Sequence, residues 1–166
     1  MRALLLPALL VSLAATTCSK APPAAPPSKE AIAAVLDDWH DAAAHAEEDR
    51  YFGHLAEDAV FLGTDAKERW DKAAFRAYAH PHFAKGKAWS FRSVRRDIAV
   101  DPSGLIAWFD EDLETQNLGP ARGSGVLVNR GSGWKISQYN LAITVPNERF
   151  QAVKRAAAGD PGGTPP

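Results

Sequence analysis

Charged and amide side chains interrupt the apolar strand patterns in the last third of the chain. On a strand with alternating side chains, Trp108 and Asp110 share one face and Glu111 lies on the other. If Trp108 lines a cavity, Asp110 lines it too, and a carboxylate beside an indole has a raised pKa that suits proton transfer. The alternative is an ion pair on the sheet, in which Asp110 or Glu111 binds Arg95 or Arg122.

Arg122 stands immediately before a Gly-Ser-Gly segment, in which Gly123 and Gly125 permit close approach of backbone or ligand. A guanidinium there can bind a ligand carboxylate through two parallel hydrogen bonds. It can equally neutralise Asp110 or Glu111. Both roles are compatible, because a cavity arginine needs a counter-charge when the cavity is empty.

Tyr139 and Asn140 are neighbours on the last predicted strand, so only one of them faces a cavity unless a bulge intervenes. Each can donate a hydrogen bond to a bound carbonyl group. The alternative for each is ordinary sheet packing with a satisfied hydroxyl or amide.

The histidines favour a general base over a metal site. His82 shares the apolar face of a predicted helix with Tyr78, which makes it a candidate base or a core or rim histidine. His40 and His45 are five residues apart, which is not the spacing that helical metal sites use. We therefore expect no metal. Trp89 joins Tyr78 as a candidate aromatic contact, which favours a planar or apolar ligand.

Length, charge and motifs exclude several classes of protein. The 166 residues suffice for one domain with a core. The net charge of −1 and the lack of a basic run argue against nucleic acid as a partner. The chain has no phosphate loop, nucleophile elbow or dinucleotide fingerprint, so we expect no cofactor.

The N-terminal residues have the features of an export signal. Residues 1–17 contain one arginine and then an apolar run too short for a stable membrane span. Cys18 follows and opens a Pro/Ala-rich tether over residues 18–27, as in a bacterial lipoprotein whose cysteine is acylated. Ordinary cleavage with release to the periplasm is the alternative. We expect an exported protein that touches a membrane only through a lipid anchor. With no cysteine after Cys18, the domain has no disulfide and no thiol nucleophile.

The apolar periods predict helices first and then a meander. Helices are expected from Ser28, over residues 50–56 and from Asp71, the last kinked or ended by Pro81. A first strand is expected at residues 59–62, and four long strands follow at 89–100, 105–116, 122–128 and 134–145, separated by turns. This order predicts an α+β fold in which the helices pack on a strongly curved antiparallel sheet and leave a conical cavity. The domain spans residues 28–150, and a disordered tail spans residues 151–166.

Several segments together carry a family resemblance. They are Phe-Leu-Gly-Thr-Asp at residues 61–65, Ala-Trp-Phe-Asp-Glu at 107–111, Arg-Gly-Ser-Gly-Val-Leu-Val at 122–128 and Trp-Lys-Ile-Ser-Gln-Tyr-Asn-Leu at 134–141. With the order of elements, they resemble a SnoaL-like domain of the nuclear transport factor two-like superfamily, in the branch similar to the association domain of calcium/calmodulin-dependent kinase. The resemblance implies a cystatin-like roll with one conical cavity.

The resemblance leaves three functional hypotheses, because this superfamily includes cyclases, isomerases, dehydratases and domains that only bind or oligomerise. The first is binding of a small, largely apolar ligand with an acidic or carbonyl group, through Asp110, Arg122, Tyr139 and Asn140. The second is a cofactor-free enzyme with Asp110 or His82 as base and Tyr139 as donor. The third is an interaction module that forms a homodimer through the outer face of the sheet.

Overall fold

The computed structural model describes residues 28–86 and 88–159, so the predicted signal segment, Cys18 and the tether lie outside the described part. Its helices are α1 (Lys29–Ala44), α2 (Glu48–Gly53), α3 (Lys72–Phe83) and α4 (Phe150–Ala157), with a 3₁₀ turn at Asn147–Arg149. Its strands are β1 (Leu55–Leu62), β2 (Arg69–Asp71), β3 (Phe91–Val100), β4 (Ile106–Thr115), β5 (Ala121–Asn129) and β6 (Trp134–Ile143). The α+β class is confirmed. None of the described helices has the length and apolar character needed to cross a membrane.

Two predicted caps start the long helices. The side chain of Ser28 accepts a hydrogen bond from the backbone N–H of Ala31 at 3.1 Å, and that of Asp71 accepts one from Ala74 at 2.8 Å. Pro81 lies inside α3, which continues to Phe83. Because proline lacks an N–H, Pro81 removes one helical hydrogen bond. The helix nevertheless continues for two more residues and ends at Phe83.

The sheet has six strands in the order β2-β1-β6-β5-β4-β3. Strands β3 to β6 form the predicted antiparallel meander. The expectation of a purely antiparallel sheet is wrong at one pair, because β1 lies parallel to β6, with Phe61 opposite Tyr139. Short β2 pairs with the end of β1 and brings Trp70 opposite Phe61.

Two boundaries differ from the prediction. Residues 55 and 56 belong to β1, not to the second helix, because Leu55 is already paired with Ile136 of β6. Helix α4 occupies the first half of the predicted disordered tail. Its alanines and long side chains have a high helix propensity, which explains a short helix that buries none of its residues.

The core lies between the inner face of the sheet and helices α1, α2 and α3. The largest fully buried side chains include two tyrosines, several aliphatic residues and one carboxylate. They are Trp39, Tyr51, Tyr139, Phe52, Phe75, Ile32, Leu36, Leu127, Ile136 and Glu111. A glutamate among such residues requires partners, since an isolated buried charge is very costly.

Candidate functional site

A cavity of about 370 Å³ opens between α3, the ends of β1 and β2, and the start of β3. Its volume is in the range of small-molecule sites. Six aromatic side chains line it: Phe61, Trp70, Phe75, Tyr78, Trp89 and Phe91. Its polar lining consists of Thr64, Glu68, His82, Ser90, Gln116 and Asn117. The lining is therefore mixed, with aromatic and hydrogen-bonding side chains in equal number.

Helix α3 contributes one wall of the cavity. Phe75, Tyr78 and His82 recur at spacings of three and four, so they lie on the same face of the helix. Trp70 stacks on Tyr78, with ring centroids 4.6 Å apart, and lies 5.7 Å from Phe75. These contacts hold the rings of the wall in place before any ligand binds.

Three predicted site residues, Tyr78, His82 and Trp89, line this cavity. The rings of Tyr78 and His82 are 5.8 Å apart, and those of His82 and Trp89 are 6.4 Å apart. The structure thus brings the candidate base together with two candidate aromatic contacts. Their roles stay predictions.

Three other predicted residues face away from the cavity. Trp108, with 51% of its surface exposed, Asp110 and Arg122 lie on the outer face of the sheet. Asp110 lies 3.3 Å from Arg95, which is one of the predicted ion pairs, whereas Arg122 lies 3.4 Å from Asp112. The placement of these three residues in the cavity was wrong.

The register between β4 and β5 explains the orientation of β4. Gly125 lies opposite Phe109, and Gly123 lies opposite Glu111. A β-carbon at position 125 would come within 2.2 Å of the Gln138 carbonyl oxygen, and one at position 123 would come equally close to the Tyr139 hydroxyl. The glycines therefore give Phe109 and Glu111 room on the inner face, and Trp108 and Asp110 take the outer one. The two glycines thus permit close approach of the β6 backbone and of the Tyr139 side chain, not of a ligand.

Tyr139 faces the interior and Asn140 the opposite side, which answers the question left open by the sequence. Tyr139 is fully buried and packs edge-on against Trp39, with centroids 4.7 Å apart. Its hydroxyl lies 3.4 Å from an oxygen of Glu111. Neither Tyr139 nor Asn140 is among the residues that line the cavity.

A buried charge cluster surrounds Glu111, next to the cavity but outside its lining. One Glu111 oxygen lies 2.8 Å from His40 Nε2, and the other accepts a hydrogen bond from Arg96 Nε at 2.8 Å. Arg96 also donates to Asp37 at 2.7 Å. The cluster joins α1 to β3 and β4. The ring of His40 is 6.2 Å from that of Phe91, a cavity residue.

The cluster keeps Glu111 ionised. Burial alone would raise the pKa of Glu111, but the hydrogen bond and charge of His40 and the charge of Arg96 outweigh it, and the pKa lies below its ordinary value. Burial, reinforced by the charge of Glu111, raises the pKa of the Tyr139 hydroxyl. A carboxylate held by three partners is a structural anion, not a group poised to accept a proton.

Sequence reasoning did not identify His40 and Arg96 as the partners of Glu111. His40 follows Trp39 and stands four residues after Leu36, at the edge of the buried stripe of α1. This position at the edge of the buried stripe was the feature of the sequence that could have identified His40 as a buried residue. Glu68, Gln116 and Asn117 were also missed, because they lie in turns whose position depends on tertiary contacts. Within residues 28–86 and 88–159, no group of three or more His, Cys, Asp or Glu side chains is arranged to hold a metal ion.

Solved structures share this fold at low sequence identity. A protein of unknown function from Pseudomonas putida KT2440, described as NTF2-like, is 12% identical, with a TM-score of 0.61 over 72% of this chain and 89% of that one. A protein from Xanthomonas campestris, provisionally assigned as a calcium/calmodulin dependent protein kinase II association domain, is 20% identical, with a TM-score of 0.56 over 80% and 98%.

A third similar structure, from Novosphingobium aromaticivorans, is provisionally assigned as a scytalone dehydratase. It is 12% identical, with a TM-score of 0.59 over 70% of this chain and 83% of that one. No curated protein matches the chain. The model of the SnoaL-like domain matches residues 32–146, which include α2, α3, all six strands and most of α1. The chain therefore belongs to the SnoaL-like domain family.

Proposed function

We propose that this protein binds a small, flat and largely apolar molecule in its aromatic cavity. The observation that carries the proposal is the set of six aromatic side chains around about 370 Å³ of space. A planar ligand gains both apolar burial and ring stacking from such walls. The family includes proteins that bind small ligands, which supports a binding role without identifying the ligand.

The polar group of the ligand must be recognised by residues other than those predicted. Arg122 and Asp110 lie on the outer face, so they support no contact in the cavity. The side-chain amides of Gln116 and Asn117 line the cavity and can bind a carbonyl or hydroxyl group. The binding of a carbonyl group thus remains supported, whereas the binding of an acidic group by Arg122 does not.

The geometry favours binding over cofactor-free cyclase, isomerase or dehydratase chemistry. His82 lines the cavity, but no hydrogen bond joins its ring to another described residue, and a general base is normally oriented by a second group. Glu111 and Tyr139 are 3.4 Å apart, yet Arg96 and His40 already hold the carboxylate. A catalytic role for His82 is the alternative to binding alone.

Filling the cavity is expected to weaken binding. In the Ala88→Phe variant, a ring replaces a methyl group in the cavity lining, so the affinity for 2-naphthol should fall at least about tenfold. Titration followed by tryptophan fluorescence measures it, because Trp70 and Trp89 line the site. Ala152→Phe, on exposed α4, is the control and should bind normally. Failure of the wild type to bind 2-naphthol, or equal affinity in Ala88→Phe, contradicts the proposal.

We also propose a homodimer through the outer face of the sheet. Ile106 and Trp108 expose apolar surface there, and the adjacent Asp110 and Arg122 offer charges of both signs. Trp108→Lys should convert the dimer to a monomer in analytical ultracentrifugation, since it places a charge within a buried interface. Phe150→Lys, at an exposed ring on α4, should leave the mass unchanged. A monomeric wild type at high concentration would end this proposal.

A further inference from the structure

The cavity contains one carboxylate and no guanidinium or ammonium group among the described residues that line it. Glu68 supplies the negative charge, and His82 is the only side chain among the described lining residues that can become positive. A site with aromatic walls and a fixed carboxylate attracts cations and repels anions. The site therefore suits a cationic ligand and does not suit a ligand with an acidic group.

The carboxylate of Glu68 is held in place by its own loop. The backbone N–H of Asp65 donates to Glu68 Oε2 at 3.1 Å, and a β-carbon at position 63 would lie 2.2 Å from the same oxygen. Gly63 is therefore required for this conformation. The carboxylate is half-buried, and no Lys, Arg or His among residues 28–86 and 88–159 lies within 4.0 Å of it. Its position is determined by the loop, not by a protein cation.

The aromatic wall also favours a cationic ligand. Trp70 follows Glu68 by two residues and stacks on Tyr78, so indole, phenol and carboxylate occur together in one lining. The face of an aromatic ring attracts an ammonium group, most strongly in tryptophan. A carboxylate next to such rings is the combination that binds organic cations.

We infer that the ligand of the cavity is an organic cation, a flat ring system that carries an amine or quaternary ammonium group bound by Glu68. The inference rests on the proposed binding function and specifies the class of ligand. The ring of the ligand packs on the aromatic wall, while its charge lies against Glu68.

Three ligands with the same ring separate charge from shape. Binding of 1-naphthylmethylamine, 1-naphthylmethanol and 1-naphthoate to the full chain is compared at pH 7 by tryptophan fluorescence. The amine is expected to bind at least about tenfold more tightly than the alcohol, the size of one charge-assisted contact, and the carboxylate is expected to bind most weakly. Equal affinity of amine and alcohol overturns the inference and leaves the proposed function intact. Binding of none of the three contradicts the proposed function itself.

Two variants test whether Glu68 is the group responsible. Glu68→Gln keeps an acceptor for the Asp65 N–H and should remove the preference for the amine over the alcohol. Glu57→Gln makes the same change of charge at a side chain that is 92% exposed, and it should keep the preference. A Glu68→Gln protein that still prefers the amine tenfold overturns the role of Glu68. The wild-type series decides on ligand charge even if this variant fails to fold.

Discussion

Replacement of Glu111 by alanine is expected to lower the free energy of unfolding by about 3–5 kcal/mol. The substitution removes the buried anion that lies between Arg96 and His40, both largely buried, and leaves Arg96 with only the exposed carboxylate of Asp37 as a partner. It also removes the acceptor nearest the Tyr139 hydroxyl. An unpaired buried charge costs far more than the net contribution of the intact pair, so this change should be among the most damaging in the chain. Urea unfolding followed by circular dichroism measures the loss.

Glu114→Ala is the matched control on the same strand. Its carboxylate pairs with Arg92, but both side chains are more than 60% exposed. Exposed ion pairs contribute at most about 1 kcal/mol, so the variant should unfold close to the wild type. Similar losses in Glu111→Ala and Glu114→Ala would show that the buried cluster does not stabilise the fold in the way described.

A comparison of the wild type with Glu111→Ala also shows how the contribution of the cluster to stability depends on pH. The pKa of Glu111 in the folded protein lies below its ordinary value of 4.5. A carboxyl with a lowered pKa contributes its full stability above the unfolded pKa and loses it as the pH falls through the folded pKa. The part of the stability difference between wild type and Glu111→Ala that comes from ionisation of Glu111 should therefore be fully present above pH 5 and shrink below about pH 4, near the ordinary carboxyl pKa.

Gly125→Ala is expected to destabilise the protein by about 3 kcal/mol or to prevent folding, as overpacking at a core position does. The added β-carbon would lie 2.2 Å from the carbonyl oxygen of Gln138 and 3.0 Å from the ring of Phe109. The first of these atoms belongs to the backbone of β6, so relief requires that two strands separate. Thermal unfolding and the yield of soluble protein report the effect.

Gly53→Ala serves as the comparison for Gly125→Ala. Nothing lies within 4 Å of the position that a β-carbon would take at residue 53, which ends helix α2. Alanine is favoured over glycine in helices by about 1 kcal/mol at most, so this variant should be as stable as the wild type or slightly more stable. If Gly125→Ala behaved like Gly53→Ala, the close contact between β5 and β6 would be refuted.

The elements of the fold could be predicted because their signals are local. Ser28 and Asp71 precede apolar helical stripes, and three turns rich in glycine, proline and asparagine separate four alternating runs. The parallel pairing of β1 with β6 could not be predicted, since nothing in residues 55–62 indicates which distant strand they join. Such long-range pairings depend on the packing of the whole domain.

The face of β4 could not be read from its own sequence. Trp108 with Asp110 and Phe109 with Glu111 are two versions of one pattern, an aromatic residue followed two positions later by an acid. Period alone cannot choose between them. The deciding information is in β5, where Gly123 and Gly125 leave space on the side of Phe109 and Glu111.

The predicted residues that line the cavity come mainly from a helix, and Trp89, which precedes β3, is the exception. Tyr78 and His82 are four residues apart on α3, so the helical period alone places them together. Glu68, Gln116 and Asn117 come from turns that approach the helix only after the sheet has formed. Five of the six polar side chains that line the cavity thus lie in loops or turns, whose sequences carry no period.

The central position of β6 determines when the domain can assemble. This strand is the last of the sheet in the chain, yet it lies between β1 and β5 and joins the β1–β2 pair to the rest of the meander. In a chain interrupted before Trp134, no strand pairing connects the β1–β2 pair to β3, β4 and β5. Synthesis of nearly the whole domain must therefore precede its folding, and the long loop closed by the β1–β6 contact makes that step slower than the formation of the hairpins.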